Sequence, residues 1–163
     1  MAGLEDLYRE IILDHYRNPR NRGELPTPPA RRVEGFNPLC GDEIVIYLDV
    51  EDGRLADLRI AGQGCSISQS SASMMSAAVK GTTVDEARSL IRAFKAMMSI
   101  HEHRLDGEAD GDGEVVEAEP GVKMGDLEAL QGVVKFPVRI KCATLSWNTL
   151  QQGLDEAAAG VSA

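Results

Sequence analysis

The chain has 163 residues and a mass of 17.6 kDa, a length that favours one domain. Hydrophobic residues make up 43% and charged residues 26%, the balance of a globular chain rather than a disordered one. The formal charge of −9 and only seven aromatic residues argue against a phosphate backbone or stacked bases as ligand.

Leu4, Leu7, Tyr8, Ile11, Ile12 and His15 or Tyr16 recur at helical spacing, which predicts an amphipathic helix over 4–17. Asn18-Pro19 ends it, because proline disfavours helical geometry in the residue before it. Pro26, Pro28 and Pro29 mark a connection, and a short strand is expected over 32–36. Alternating and β-branched runs over 43–50 and 54–61 meet at Glu51-Asp52-Gly53, a tight-hairpin signature.

After Gly62-Gln63-Gly64-Cys65 the period lengthens. Ile67, Met74, Met75, Ala78 and Val79 fit one helical face that ends at Gly81. Thr83-Val84-Asp85-Glu86 is a capping box for the next helix, with Ala87, Leu90, Ile91, Phe94, Met97 and Met98 as its apolar face. Residues 101–128 then hold ten acids and two bases, so most of the negative charge sits there, whereas 9–32 carry six arginines against three acids. A short helix around 126–130 and a last helix from Pro137 to about 156 complete the chain. Early strands and late helices indicate an α+β domain, a small antiparallel sheet covered by helices.

Met1 to Asp6 turns acidic at once and lacks a basic, then apolar, leader. The longest apolar run, Ile44 to Leu48, falls far short of the ~20 residues of a membrane span. A cytoplasmic protein is expected, and there cysteines are more often ligands or reactive thiols than bridges.

The three cysteines lie at element ends. Cys40 sits in the turn Asn37-Pro38-Leu39-Cys40-Gly41-Asp42, Cys65 between a strand and a helix, and Cys142 in the first turns of the last helix. Soft thiolates suit zinc or an iron–sulfur cluster, and Asp42 can supply a fourth ligand. The spacing matches no local zinc motif, so unrelated buried thiols stand as the alternative. Gly41, Gly62 and Gly64 flank two of the cysteines, but Gly62-Gln63-Gly64 fails as a dinucleotide fingerprint.

Four motifs in order carry a family resemblance: Asp14-His15-Tyr16-Arg17-Asn18-Pro19, Asn37-Pro38-Leu39-Cys40-Gly41-Asp42, Gly62-Gln63-Gly64-Cys65-Ser66-Ile67-Ser68 and Arg139-Ile140-Lys141-Cys142-Ala143. Over about residues 4–155 the chain resembles the IscU/SufU (NifU N-terminal-like) iron–sulfur cluster assembly family. The resemblance implies a three-stranded antiparallel sheet packed by helices, as in SufE/NifU-like folds. It also implies that Cys40, Asp42, Cys65 and Cys142 converge on one metal or cluster at the tip of the sheet.

Two features point to the SufU branch of that family. Cluster scaffolds carry histidine before the last cysteine, where this chain has Lys141, and a Leu-Pro-Pro-Val-Lys chaperone segment, where it has Lys135-Phe136-Pro137-Val138-Arg139. Residues about 101–124 resemble the branch's insertion, within one domain over 1–158 followed by a 159–163 tail. The branch implies a zinc-dependent sulfur acceptor that takes persulfide sulfur from a cysteine desulfurase and feeds iron–sulfur assembly. On that reading it acts only with that partner and is not a stand-alone catalyst. The alternative is a scaffold that builds and transfers a [2Fe–2S] cluster.

Protonated Lys141 has no lone pair and cannot readily ligate a metal as histidine does, which favours zinc closed by Asp42. Arg139 and Lys141 are expected beside the site, offsetting its negative charge, and either is a candidate to pair with Asp42. The resemblance implies that a partner ligand, usually histidine, displaces one cysteine from zinc. Cys40, on its glycine-flanked turn, is the expected acceptor.

Other residues read more plainly. Glu102 between His101 and His103 leaves no HExxH pattern, so a charged helix end is expected there. His15 and Tyr16 are expected to pack against the sheet, with a place near the partner surface as the alternative; Met74, Met75, Met97 and Met98 are expected in the core, and Trp147 to face inward. The N-terminal arginines read equally as solvated surface or as steering for an acidic partner.

Overall fold

A computed structural model describes residues 3–27, 30–38, 40–105 and 125–158. Helix α1 (Gly3–Arg17) precedes strands β1 (Arg31–Asn37), β2 (Asp42–Glu51) and β3 (Arg54–Gln63). Helices α2 (Ser66–Val79) and α3 (Val84–Leu105), a 3-10 segment (Gly125–Lys135) and helix α4 (Pro137–Ala158) follow. The expected order of elements is the observed one. The acidic stretch begins inside α3, which runs on to Leu105, and its remainder over 106–124 lies outside the described residues, as does the 159–163 tail.

The three strands form one antiparallel sheet in the order β1-β2-β3, so the expected fold class is the one found. Glu51 pairs with Arg54, and positive φ at Asp52 (52°) and Gly53 (74°) closes the two-residue turn. Such turns match the natural twist of the strands they join. At the opposite end Asn37 pairs with Asp42, which leaves residues 38–41 as the loop of the first hairpin.

Ile44, Ile46 and Leu48 alternate along β2 and are buried with Val33, Leu58 and Ile60. This is the period-two pattern of a sheet with one covered face. Helix α4 packs on β1 and β2, and α2 packs between α1 and α4. Trp147 is buried, stacked on Phe94 with ring centroids 4.5 Å apart, and its Nε1 donates to Ser71 Oγ at 3.1 Å. Ser71 Oγ in turn donates to the Ala143 carbonyl at 2.6 Å. Helices α2, α3 and α4 thus meet on one aromatic pair and one hydroxyl. Met74, Met75 and Met98 are buried in this core, with Met97 at its edge.

Two expectations change. Helix α1 packs on α2 and the 3-10 segment, so His15 is buried against those elements rather than the sheet, and Tyr16 is exposed. His15 Nδ1 lies 2.8 Å from Ser73 Oγ and Nε2 lies 3.1 Å from Asp126 Oδ2. Ser73 Oγ also accepts the Arg20 N–H at 2.8 Å. The trio resembles a nucleophile relay, but Ser73 is fully buried, so it fastens helices instead.

The second change concerns the short helix expected at 126–130, which is a longer 3-10 segment. Leu127, Leu130 and Val133 are buried, and their spacing of three is the period at which 3-10 side chains eclipse. The side chains of His101 and His103 lie outside the described residues. Among those described, no helix is long and apolar enough to cross a membrane.

Candidate metal centre

One end of the sheet gathers the cysteines. Cys40 lies in the β1–β2 loop, Asp42 opens β2, Cys65 caps the N-terminus of α2 directly after β3, and Cys142 lies in the second turn of α4. The ligand atoms of Cys40, Asp42 and Cys142 all lie within 4.8 Å of one another, and Cys142 Sγ is 3.3 Å from Cys40 Sγ. Asp42 and Cys142 are fully buried, while Cys40 and Cys65 are half-buried.

Asp42 is held on both oxygens. Its Oδ1 accepts the Cys65 backbone N–H at 2.9 Å, and its Oδ2 accepts Asn37 Nδ2–H at 3.2 Å. A Cβ on Gly64 would come within 2.5 Å of Asp42 Oδ1, so this position must be glycine for the carboxylate to sit there. Burial pushes the Asp42 pKa up. The Cys65 N–H, the Cys142 and Cys65 thiols and the Asn37 amide outweigh it and hold the carboxyl below its usual range.

Cys142 shows the opposite balance. Burial pushes its thiol pKa well up, and hydrogen bonding to Asp42, Cys40 and Cys65 pushes it further. In the metal-free protein its proton therefore stays on sulfur, directed at acceptors within the site.

Cys65 stands slightly apart. Its Sγ accepts the Ser68 backbone N–H at 3.4 Å as the cap of α2, and it falls outside the group in which every donor pair is within 4.8 Å. The structure thus brings together three of the four expected ligands and sets the fourth beside them, its backbone N–H on Asp42 Oδ1.

Arg139 is exposed on the first turn of α4, and its interactions with the Cys65 and then the Cys142 side chains raise its guanidinium pKa further. It answers the thiols, not the carboxylate. Lys141 is exposed, and among the described residues neither cation forms an ion pair with Asp42, whose partners are N–H and S–H groups.

The donor set suits a metal ion. Zinc–sulfur bonds of ~2.3 Å in a tetrahedron put sulfurs ~3.8 Å apart, inside the spread of the three donors. Sequence reasoning passed over Asn37 as a contributor. Its signal was the hairpin itself, because a four-residue loop sets Asn37 directly opposite Asp42. Also missed were the exposed Phe36, Phe136 and Val138, which neighbour the site residues in sequence.

Comparisons with known proteins place the chain in a family. A family profile described as the NifU-like N terminal domain matches residues 7–120. The chain belongs to the NifU-like N-terminal domain family. That match spans Cys40, Asp42 and Cys65, and full-length relatives reach Cys142 as well. The chain is 42% identical over 153 residues to the zinc-dependent sulfurtransferase SufU of Bacillus subtilis, covering 94% of this chain and 92% of the relative. It is 35% identical over 158 residues to the iron–sulfur cluster assembly scaffold protein IscU of Streptococcus pyogenes, covering 97% and 89%. The crystal structure of a NifU-like protein (N-terminal) from Brucella abortus superposes with a TM-score of 0.71 at 24% identity, covering 93% of this chain and 96% of that one. At that identity the likeness speaks for the fold alone.

Proposed function

We propose that this protein is a zinc-dependent sulfur acceptor in iron–sulfur cluster assembly, taking persulfide sulfur from a cysteine desulfurase. The observation that carries the reading is the donor set: a half-buried loop thiol, Cys40, over a buried pair, Asp42 and Cys142. Similarity to a protein named a zinc-dependent sulfurtransferase supports zinc as the metal. Lys141, in place of histidine, supports it too, because a protonated lysine offers no lone pair to a cluster.

Cys40, Asp42 and Cys142 would hold the ion, with Cys65 beside them as the fourth ligand. Bound zinc keeps thiolates deprotonated and brings no redox chemistry of its own. The remaining steps belong to the chain. Cys40 sits on a loop, where a change of backbone angle costs less than on a packed helix, so it is the thiolate that swings toward the partner. Its sulfur attacks the outer sulfur of the desulfurase persulfide. A new S–S bond forms on Cys40, the S–S bond on the partner breaks, and the electron pair remains on the partner's cysteine as a thiolate. No external oxidant or reductant is needed. Arg139 beside Cys65 lowers the cost of negative charge on the site's sulfurs.

The surface around the site fits a protein donor. Phe36, Phe136 and Val138 are exposed there, and a groove of about 720 Å³ lined by Tyr8, Ile12, Ile67, Val133, Phe136 and Arg139 opens beside Cys65. Exposed apolar residues around a polar centre are characteristic of a docking surface. The sulfur then passes to the downstream assembly machinery. A reducing cytoplasm is the compartment in which three free cysteines keep their thiols.

A [2Fe–2S] scaffold is the second reading, favoured by the similarity to the protein named a scaffold IscU. Anaerobic purification, metal analysis and visible absorption separate the two. Stoichiometric zinc without a charge-transfer band, together with faster desulfurase turnover, supports the sulfur acceptor. A coloured cluster that transfers to an apo-protein would overturn it.

A further inference from the structure

We propose that Asn37 is a positioning residue of the metal centre, whose side-chain amide joins a ligand on the sheet to a ligand on α4. The inference rests on the metal-binding reading above. Asn37 Nδ2 lies 3.2 Å from Asp42 Oδ2 and 3.7 Å from Cys142 Sγ. An amide nitrogen carries two hydrogens, so one NH₂ group serves both ligands. Asn37 is buried, where an amide is retained only if it is hydrogen-bonded.

Its backbone adds to the constraint. Asn37 and Asp42 are register partners at the neck of the β1–β2 hairpin, so the amide is fixed by the same strand pairing that fixes the carboxylate. From there it reaches across to α4, an element separate from that hairpin. Two ligands from distant parts of the chain, 100 residues apart in number, are thereby set against one rigid donor.

The donor chemistry suits the loaded site better than the empty one. When a metal displaces the Cys142 proton, a buried thiolate and a carboxylate stand side by side. Asn37 then presents two N–H groups to the pair, as outer-shell partners of metal ligands commonly do. Cys40 Sγ lies 3.3 Å from Cys142 Sγ, on the loop between β1 and β2. Asn37 therefore ties Asp42 and Cys142 into one held pair.

The isosteric variant Asn37→Asp separates donating from space-filling. It keeps the shape but replaces the NH₂ with an oxygen acceptor facing Asp42 and Cys142. Asn37→Ala removes the donor without adding charge. Zinc affinity is read by competition with a chromophoric chelator, ligand geometry by the absorption of the cobalt-substituted protein, and folding by circular dichroism of the metal-free form. The positioning role predicts a loss of zinc affinity of about 10–100-fold for Asn37→Ala and a larger loss for Asn37→Asp. The cobalt spectrum shifts in both.

If Asn37→Asp binds zinc like the wild type while Asn37→Ala is weaker, the residue only fills space and the proposal is overturned. Should Asn37→Asp fail to fold, Asn37→Ala decides alone: unchanged affinity and an unchanged cobalt spectrum overturn the proposal, and loss of both supports it. No desulfurase is used, so the sulfur-transfer reading is not what is measured. A wild-type protein that binds no zinc would instead sink the metal reading on which the proposal rests.

Discussion

Cys65 donates its backbone N–H to Asp42 Oδ1 across 2.9 Å, so the residue that caps α2 also fixes the carboxylate that opens β2. The contact depends on Gly64, the residue between β3 and that cap. A side chain there would strike the carboxylate before the N–H could reach it.

Gly64→Ala should therefore break the centre from the outside. The new Cβ would stand 2.5 Å from Asp42 Oδ1, well inside van der Waals contact, and the carboxylate must move. Overpacking of this kind costs about 1–3 kcal/mol of stability. Loss of a held ligand lowers zinc affinity about 10-fold or more. Chelator competition on the variant checks it; wild-type affinity would mean that Asp42 tolerates displacement or does not ligate.

The metal-free protein should lose stability at both ends of the pH scale. Asp42 has a folded pKa below its unfolded value of ~3.9. Its contribution is complete above that value and disappears as pH falls through the folded pKa. Cys142 is held above the unfolded thiol value of ~8.5. The unfolded thiol releases its proton where the native one keeps it, so stability falls as pH rises beyond about 8.5. Urea unfolding from pH 3 to 10, with Cys142→Ala as the control that removes the alkaline fall, tests both limbs (~3–10 spans the two reference values). A flat alkaline limb in the wild type would contradict the buried, protonated thiol.

His15→Leu should destabilise the fold without emptying the site. The ring loses its contacts to Ser73 and Asp126, and the buried Ser73 hydroxyl loses a partner, a change worth about 1–3 kcal/mol. The unfolding midpoint should fall while zinc stoichiometry stays the same. Lost zinc with unchanged stability would mean that His15 serves the metal centre and not the helix packing.

Much of the fold was legible because the local signals were strong. The period-two runs, the Asp52-Gly53 turn and the Thr83 capping box each name one conformation, and each is where it was expected. The 3-10 segment was less legible because Leu127, Leu130 and Val133 match either helix over so short a run. The burial of the α2 serines is not legible in the sequence either. Ser68, Ser70, Ser71, Ser73 and Ser76 look like a solvent face, yet all are buried, and bonds such as Ser71 to Ala143 arise only when distant segments pack.

At the site, the family resemblance pointed to Cys40, Asp42, Cys65 and Cys142, but not to what holds them. Opposite charge makes Arg139 or Lys141 a candidate partner for Asp42 in the sequence. In the folded protein its partners are the Cys65 N–H, thiols and the Asn37 amide, groups whose role follows from strand register and helix capping. A charge count along the chain contains neither.

The most direct test of the central claim is intact-mass analysis of the zinc-loaded protein after anaerobic reaction with a cysteine desulfurase and free cysteine, followed by peptide mapping. The account predicts that the chain gains the mass of one sulfur atom, carried on Cys40, and that Cys40→Ala gains none and leaves desulfurase turnover at its basal rate. Sulfur carried on Cys65 or Cys142 instead, or full stimulation of the desulfurase by Cys40→Ala, would contradict it.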